Sequence, residues 1–267
     1  MEQSWQDWIQ TSIDMGCDRE ALRAILEQNN FSAEDIRIHL DARAASPKSD
    51  IVGAVDHAAL TRINITRIAT KLETDLAQVY TLDDFLTAEE CDTLVAHSIT
   101  GAMMPSVVGT GYVDASHRSS SSYHLYDSVH PLVHAIDKRI EKAMGINLAY
   151  SEIMQIQHYA VGQEFKPHHD YFTPDTAAFT KYATHIGNRT WTLMMYLTDT
   201  TKGGGTQFPK LGTTFYPKKG QALIWNNLYA DGRPNPDTLH AGMPVEEGIK
   251  VIITKWFRER SPWPMIL

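Results

Sequence analysis

The stretch His158-Tyr159-Ala160-Val161-Gly162-Gln163-Glu164-Phe165-Lys166-Pro167-His168-His169-Asp170-Tyr171-Phe172 constrains this chain more than any other. It begins in a strand-like run and carries His168 and Asp170 two residues apart. Side chains two apart on a strand leave the same face. One imidazole and one carboxylate are therefore expected to project together, with His169 on the opposite face. A further histidine, His240, lies 72 residues after His168, and Lys250 follows ten residues later at the head of an alternating apolar run. From Met154 onward the hydrophobic period is two. Met154–Val161, Arg189–Thr198, Thr213–Tyr216, Gln221–Asn226 and Ile249–Phe257 read as strands separated by Gly, Pro and Asn. Many short strands with turns imply a closed or two-sheet β architecture, of which the jelly roll is one solution.

Upstream of Met154 the pattern is mostly helical. Trp5, Trp8, Ile9, Ile13 and Met15 recur at near-helical spacing, and Asp18 is placed to cap a second helix bearing Leu22, Ile25 and Leu26. Ser32, with Asp35 three residues later, has the pattern of a capping box ahead of Ile36 and Leu40. Residues 1–42 are thus expected to form a small helical module that packs on the main domain or mediates self-association, a homodimer being the simplest form. Arg43–Gly53, with small and polar residues and a proline, reads as a linker, and Asp56–Leu72 as a connecting helix through Leu60, Ile63 and Ile68. Residues 43–76 then lead into a domain over 77–267. That domain opens with a strand at Val79–Leu82 and a helix start at Thr87 and Glu90, with Cys91, Leu94 and Val95 as its apolar stripe. Residues 101–116 read as strand and loop, Arg118–Leu125 as a strand and Pro131–Met144 as an amphipathic helix. Thr173–Asn188 is a polar insertion without a clear period, and a long loop beside candidate ligands points to a lid.

Composition narrows the function classes. A net charge of −8 and a pI near 5.8 argue against a nucleic-acid-binding surface, which is basic. No apolar run approaches the ~18 residues that a membrane span needs. The start Met1-Glu2-Gln3-Ser4-Trp5 lacks a signal-peptide pattern. Cys17 and Cys91, the two cysteines, lie far apart and outside any CxxC, as expected of reduced thiols in a cytoplasmic protein.

His168, Asp170 and His240 are the candidate metal ligands. Imidazole and carboxylate suit Fe, Zn and Mn alike, so ligand type leaves the metal open. A structural zinc site wants four ligands, usually with Cys, and neither cysteine is near. Two His and one carboxylate with open positions form the ligand set of non-haem Fe(II) oxygenases, while zinc hydrolysis remains an alternative. Parity places Lys250, Ile252, Thr254 and Trp256 on one strand face and Val251, Ile253 and Lys255 on the other. A lysine on an apolar inward face is costly without a counter-charge, so Lys250 is expected to meet an anion and Lys255 to be an ordinary solvated lysine.

Five segments carry a family resemblance in order: Gln155–Tyr171, Arg189–Leu197, Gly203–Pro209, Pro217–Ala222, and His240–Val245 through Gly248-Ile249-Lys250 to Lys255-Trp256. From about Gln78 to Trp263 the chain resembles the prolyl 4-hydroxylase branch of the 2-oxoglutarate/Fe(II) dioxygenases. The resemblance implies an α+β fold: a double-stranded β-helix, or jelly roll, with supporting helices, here preceded by the small N-terminal helical region. It implies Fe(II) on His168, Asp170 and His240, and 2-oxoglutarate anchored by Lys250 and held by Tyr159 and Thr192. It also implies O₂ as co-reactant, ascorbate in support, and Arg118, Glu152, Phe165 and Trp256 along a peptide groove. The expected reaction is C4 hydroxylation of a prolyl residue in a peptide or protein, with release of succinate and CO₂. The alternatives are the same chemistry on a free amino acid or other small molecule, and a non-catalytic metal-binding jelly roll. The chain departs from the family at Val251, at Arg258 and in the Thr173–Asn188 insertion. Asp14-Met15-Gly16 and the helices after it resemble ubiquitin-associated-type three-helix modules.

Overall fold

The computed structural model describes residues 1, 5, 6, 9, 10, 13, 19–44, 55–100, 103–108, 112–125 and 131–261. Trp8, the Asp14-Met15-Gly16 segment, Cys17, Asp18, most of the expected linker and Trp263 lie outside them.

Near the N-terminus, helix α1 (Arg19–Gln28) is followed by α2 (Ala33–Ile36), which runs into a wider turn at Arg37–Asp41. The Ser32 hydroxyl accepts a hydrogen bond from Asp35 N at 3.1 Å, as the capping pattern predicts. Ile9, Ile13, Leu22, Leu26, Ile36 and Leu40 bury one another, and Trp5 meets Phe31 edge to face at 4.9 Å.

The connecting helix expected over Asp56–Leu72 does not form as one element. Asp56 caps a single turn, α3 (His57–Leu60), and a 3₁₀ turn follows at Asn64–Arg67. The intervening Thr61, Ile63, Ile65 and Thr66 are β-branched, which weakens helix formation. Ile63 and Ile65 are instead buried in the main core, and Leu72 packs against a second cluster.

Twelve strands carry the rest of the argument: β1 (Thr70–Lys71), β2 (Val79–Leu82), β3 (Met104–Pro105), β4 (Ser121–Leu125), β5 (Met154–Tyr159), β6 (Phe165–His168), β7 (Arg189–Tyr196), β8 (Thr206–Phe208), β9 (Thr213–Phe215), β10 (Ala222–Asn226), β11 (His240–Gly242) and β12 (Lys250–Arg258). The larger sheet has the order β1-β2-β10-β7-β12-β5-β4-β3, the smaller β9-β8-β11-β6, and every neighbouring pair is antiparallel. Helices α4 (Ala88–Thr100) and α5 (Pro131–Met144) cover the outer face of the larger sheet. Thr87 and Glu90 form a reciprocal capping box at the start of α4, with Thr87 N donating to Glu90 at 2.9 Å and Glu90 N to Thr87 at 3.1 Å.

The central strand β12 separates two cores by parity. Val251, Ile253 and Phe257 join Leu193, Met195, Ile224, Leu94, Val133, Ile136 and Ile140 beneath the helices. Ile252 joins Tyr159, Met194, Tyr196, Leu223, Trp225 and Phe208 between the two sheets. This is the jelly roll with supporting helices. Lys255 corrects the expectation made for it. Its face packs on α5, where its ammonium is buried against Asp137 at 2.5 Å. A lysine is accommodated on that face because the helix supplies the counter-charge, something no local period encodes.

Two further differences concern the loops. The insertion after Asp170 contains a helix, α6 (Ala177–Tyr182), capped by Thr176, which accepts from Phe179 N at 3.2 Å. Arg118 precedes the strand expected to contain it and forms an isolated bridge with Phe165. Among the described residues no helix is long and apolar enough to cross a membrane.

Candidate active site

His168 closes β6 and His240 opens β11, and the two are direct cross-strand partners in the smaller sheet. Their rings stand 4.3 Å apart. Asp170 lies just beyond the end of β6, in a bend, so backbone turning as well as strand parity brings its carboxylate back to the pair. Its Oδ1 is 3.8 Å from Nε2 of each histidine. Ligand atoms of the three side chains fall within 4.8 Å of one another. His169 turns away, as parity requires, and donates to Pro236 O at 3.1 Å.

Both ligand imidazoles are oriented through Nδ1. His168 Nδ1 donates to Lys166 O at 2.8 Å and His240 Nδ1 to Thr238 O at 3.0 Å. Each bond commits the Nδ1 proton and turns an Nε2 lone pair toward Asp170, the arrangement metal-binding histidines use. Burial pushes the His168 imidazolium well below the usual histidine range, with the His240 charge adding to the effect, so His168 is neutral and able to ligate. Burial alone would raise the Asp170 carboxyl. His240, His168, Arg189 and the Thr192 hydroxyl outweigh it and hold Asp170 ionised. Two imidazoles and one carboxylate oxygen, converging with no fourth protein ligand among the described residues, fit a divalent cation with open positions.

Across the gap between the sheets sits Lys250, 1% exposed. Its Nζ lies 3.5 Å from Thr206 Oγ1, 5.3 Å from the Tyr159 ring centre and 5.9 Å from that of Tyr196. A Cβ added at Gly242, two residues past His240, would stand 3.7 Å from that ammonium. Among the described residues no carboxylate pairs with it, and burial lowers its pKa to about 7. Tyr159 is its cross-strand partner and donates to Gln157 Oε1 at 2.8 Å. Thr192, expected beside the cosubstrate, donates its hydroxyl proton to Asp170 Oδ2 at 2.6 Å.

The groove residues are placed unevenly. Phe165 stacks on His168 at 3.5 Å, and the Arg118 guanidinium lies 4.7 Å from the Phe165 ring centre while donating to Gln155 Oε1 at 3.0 Å. Glu152 is enclosed by cations. Arg189 grips it with two bonds of 2.7 Å, and Arg258 Nε lies 2.7 Å from Oε1. Burial works to raise the Glu152 carboxyl, but the Arg189 and Arg258 charges prevail and hold it at about 2. The Trp256 ring is covered by Arg189 at 3.9 Å.

Sequence reasoning did not single out Arg189 or Asn188, yet both shape the site. Arg189 Nη1 reaches Asp170 O at 3.5 Å. Asn188 pinches the neck of the insertion, accepting from Phe172 N at 2.8 Å and donating to Phe172 O at 2.9 Å. Gly187 has a positive φ of 73°, and a Cβ there would collide with Glu259. Glu259 itself accepts from Asn188 N at 2.6 Å and meets His57 of α3. The available signal was weak: an Asn and an Arg at the head of a strand-like apolar run, with no local pattern tying them to the candidate ligands.

The comparisons agree with this geometry. A family model described as the 2OG-Fe(II) oxygenase superfamily matches residues 154–258, which contain all three candidate ligands and Lys250. The chain is 38% identical over 154 residues to prolyl 4-hydroxylase subunit alpha-1 of Homo sapiens, an alignment covering 57% of this chain and 28% of the relative. It is 35% identical over 147 residues to prolyl 4-hydroxylase subunit alpha-2 of Caenorhabditis elegans, covering 55% and 27%. The chain thus spans under a third of the length of these relatives. Among solved structures, the viral collagen prolyl hydroxylase of Paramecium Bursaria Chlorella virus-1, in a 2OG complex, matches with a TM-score of 0.56 at 28% identity, covering 67% of this chain and 95% of that one. A Pseudomonas putida prolyl-4-hydroxylase shares the fold, with a TM-score of 0.51 at 17% identity, covering 73% and 97%. Residues 154–258 thus match the 2OG-Fe(II) oxygenase superfamily, and the chain is similar to proteins of its prolyl 4-hydroxylase branch.

Proposed function

We propose that this protein hydroxylates a prolyl residue in a peptide or protein, at C4, using Fe(II), 2-oxoglutarate and O₂. The observation that carries the reading is the pairing of an open three-ligand cluster with a buried lysine that no carboxylate among the described residues pairs, on facing sheets of one core. Bound Fe(II) supplies the oxidative decarboxylation of 2-oxoglutarate to succinate and CO₂, coupled to hydroxylation of a C–H bond, and ascorbate supports turnover.

The residues of the chain contribute positioning and shelter. His168, Asp170 and His240 hold the cation. Lys250 receives the far carboxylate of 2-oxoglutarate, and Tyr159 packs beside it. The aromatic and aliphatic core between the sheets excludes water from the reacting region, which strengthens the charge pairing there. Arg118, buried against the Phe165 ring, has donors suited to peptide carbonyls.

One observation favours a peptide over a free amino acid. Capturing free proline needs a carboxylate for its ammonium, and Glu152, the carboxylate expected along the groove, is already bound by two arginines. A proline-rich segment is pre-extended and loses little entropy on docking against aromatic surfaces. The test compares a Pro-rich peptide with free L-proline at equal concentration, following succinate release and the mass gain of one oxygen. Peptide hydroxylation with free proline untouched is expected. Hydroxylated free proline beside an untouched peptide would sink the substrate assignment. Succinate formation from neither, in an iron-loaded folded sample, would return the protein to the non-catalytic class.

A further inference from the structure

The surroundings of the Asp170 carboxylate are lopsided. Oδ1 faces Nε2 of His168 and of His240, each at 3.8 Å. Oδ2 faces away and accepts the Thr192 hydroxyl at 2.6 Å. Thr192 Oγ1 accepts in its turn from Asn227 Nδ2 at 2.9 Å. A hydroxyl has one proton to give. With the Asn227 amide donating to it, the Thr192 proton is directed at Asp170.

Both relay residues are fully buried, at 0% exposure. Thr192 lies on β7, and Asn227 directly follows β10, the strand paired to it. Asn227 N donates to Thr190 O at 2.7 Å, which ties the residue to β7 a second time. Asn227 O accepts from Asn235 N at 2.9 Å. The Asn235 side chain caps the turn Pro236–Thr238, whose last carbonyl orients His240. The side chain of Asn227 thus leads to one candidate ligand and its backbone to another.

We propose that Asn227, acting through Thr192, is a positioning residue that presents Asp170 to the cation by a single oxygen. The terminal torsion of an aspartate is soft, and an unrestrained carboxylate turns either oxygen, or both, toward a cation. Holding Oδ2 from behind removes that freedom and aims Oδ1 at the point both imidazoles face. Thr192 therefore serves the metal ligand rather than the cosubstrate. The inference rests on the metal-site reading of His168, Asp170 and His240.

The experiment titrates the metal-free full chain with Co(II), read by visible absorption, alongside thermal unfolding of each variant. Thr192→Val keeps the shape of the side chain and removes the hydroxyl. Loss of a partner behind a ligand weakens metal binding by about 10- to 100-fold, and that loss is expected for both Thr192→Val and Asn227→Ala. Thr192→Ser restores the hydroxyl and is expected to bind Co(II) like the wild type. Because Asn227 acts through the hydroxyl, adding Asn227→Ala to Thr192→Val is expected to cause no further loss. A merely structural role would lower the unfolding temperature without this affinity pattern or the serine rescue. Folded Thr192→Val that binds Co(II) as tightly as wild type, or losses that multiply in the double variant, would overturn the inference. Should Thr192→Val fail to fold, Asn227→Ala against wild type carries the same decision. Wild-type protein that binds no Co(II) would instead overturn the metal-site reading beneath it.

Discussion

Lys250 is the most informative residue to change. Burial lowers its pKa from 10.5 to about 7. At about 1.4 kcal/mol per unit, the interior disfavours the ammonium by roughly 5 kcal/mol. That figure bounds what a carboxylate restoring ordinary protonation can contribute, since the side chain is 1% exposed and solvent screening is slight. Truncating one partner of such a desolvated pair costs about 2–5 kcal/mol. The dissociation constant for 2-oxoglutarate in Lys250→Ala should therefore rise by roughly 30-fold to several thousand-fold, at about 1.4 kcal/mol per decade. Isothermal titration of metal-loaded protein reads this directly. Lys255→Ala is the control on the same strand. It removes the cation buried beside Asp137, so it should lower stability by about 3–5 kcal/mol while leaving 2-oxoglutarate affinity nearly unchanged. Equal losses of affinity from the two substitutions would refute the parity on which the assignment of Lys250 rests.

Four further outcomes follow from the same geometry. Since Lys250 is half-neutral near pH 7 and only its charged form suits a dianion, 2-oxoglutarate affinity should be flat well below pH 7 and fall by up to about tenfold per unit above it. Lys250→Arg, always charged, should flatten that profile. Glu152 titrates at about 2 in the folded chain against 4.5 ordinarily, so its contribution is present above pH 4.5 and is lost as pH falls toward 2. Glu152→Gln should cost about 3 kcal/mol at pH 7, and urea unfolding at pH 3.5 should show a smaller gap from wild type; an equal gap would contradict the charge argument. Deleting residues 1–42 should leave peptide turnover intact, because every proposed ligand lies elsewhere. Deleting residues 1–72 removes Ile63 and Ile65 from the main core and should abolish cooperative unfolding in a thermal scan.

Much of this protein was legible in its sequence because the relevant signals are local. The two-residue period of the long strands, the capping boxes at Ser32 and Thr87, and the amphipathic run Pro131–Met144 depend only on neighbours in the chain. The two-residue step from His168 to Asp170 and the alternation that sets the parity of β12 belong to the same class of signal. What the sequence left open was decided by pairing across long separations. Strands β6, β8 and β11 of the smaller sheet have three or four residues each, too few to show a period, and they exist because their partners supply the hydrogen bonds. Lys255 finds Asp137, Glu152 finds Arg189 and Arg258, and Asn227 finds Thr192 only once the sheets and helices are stacked. A buried polar group is stable where its partner happens to be, and that position is a property of the packed core, not of any stretch of chain.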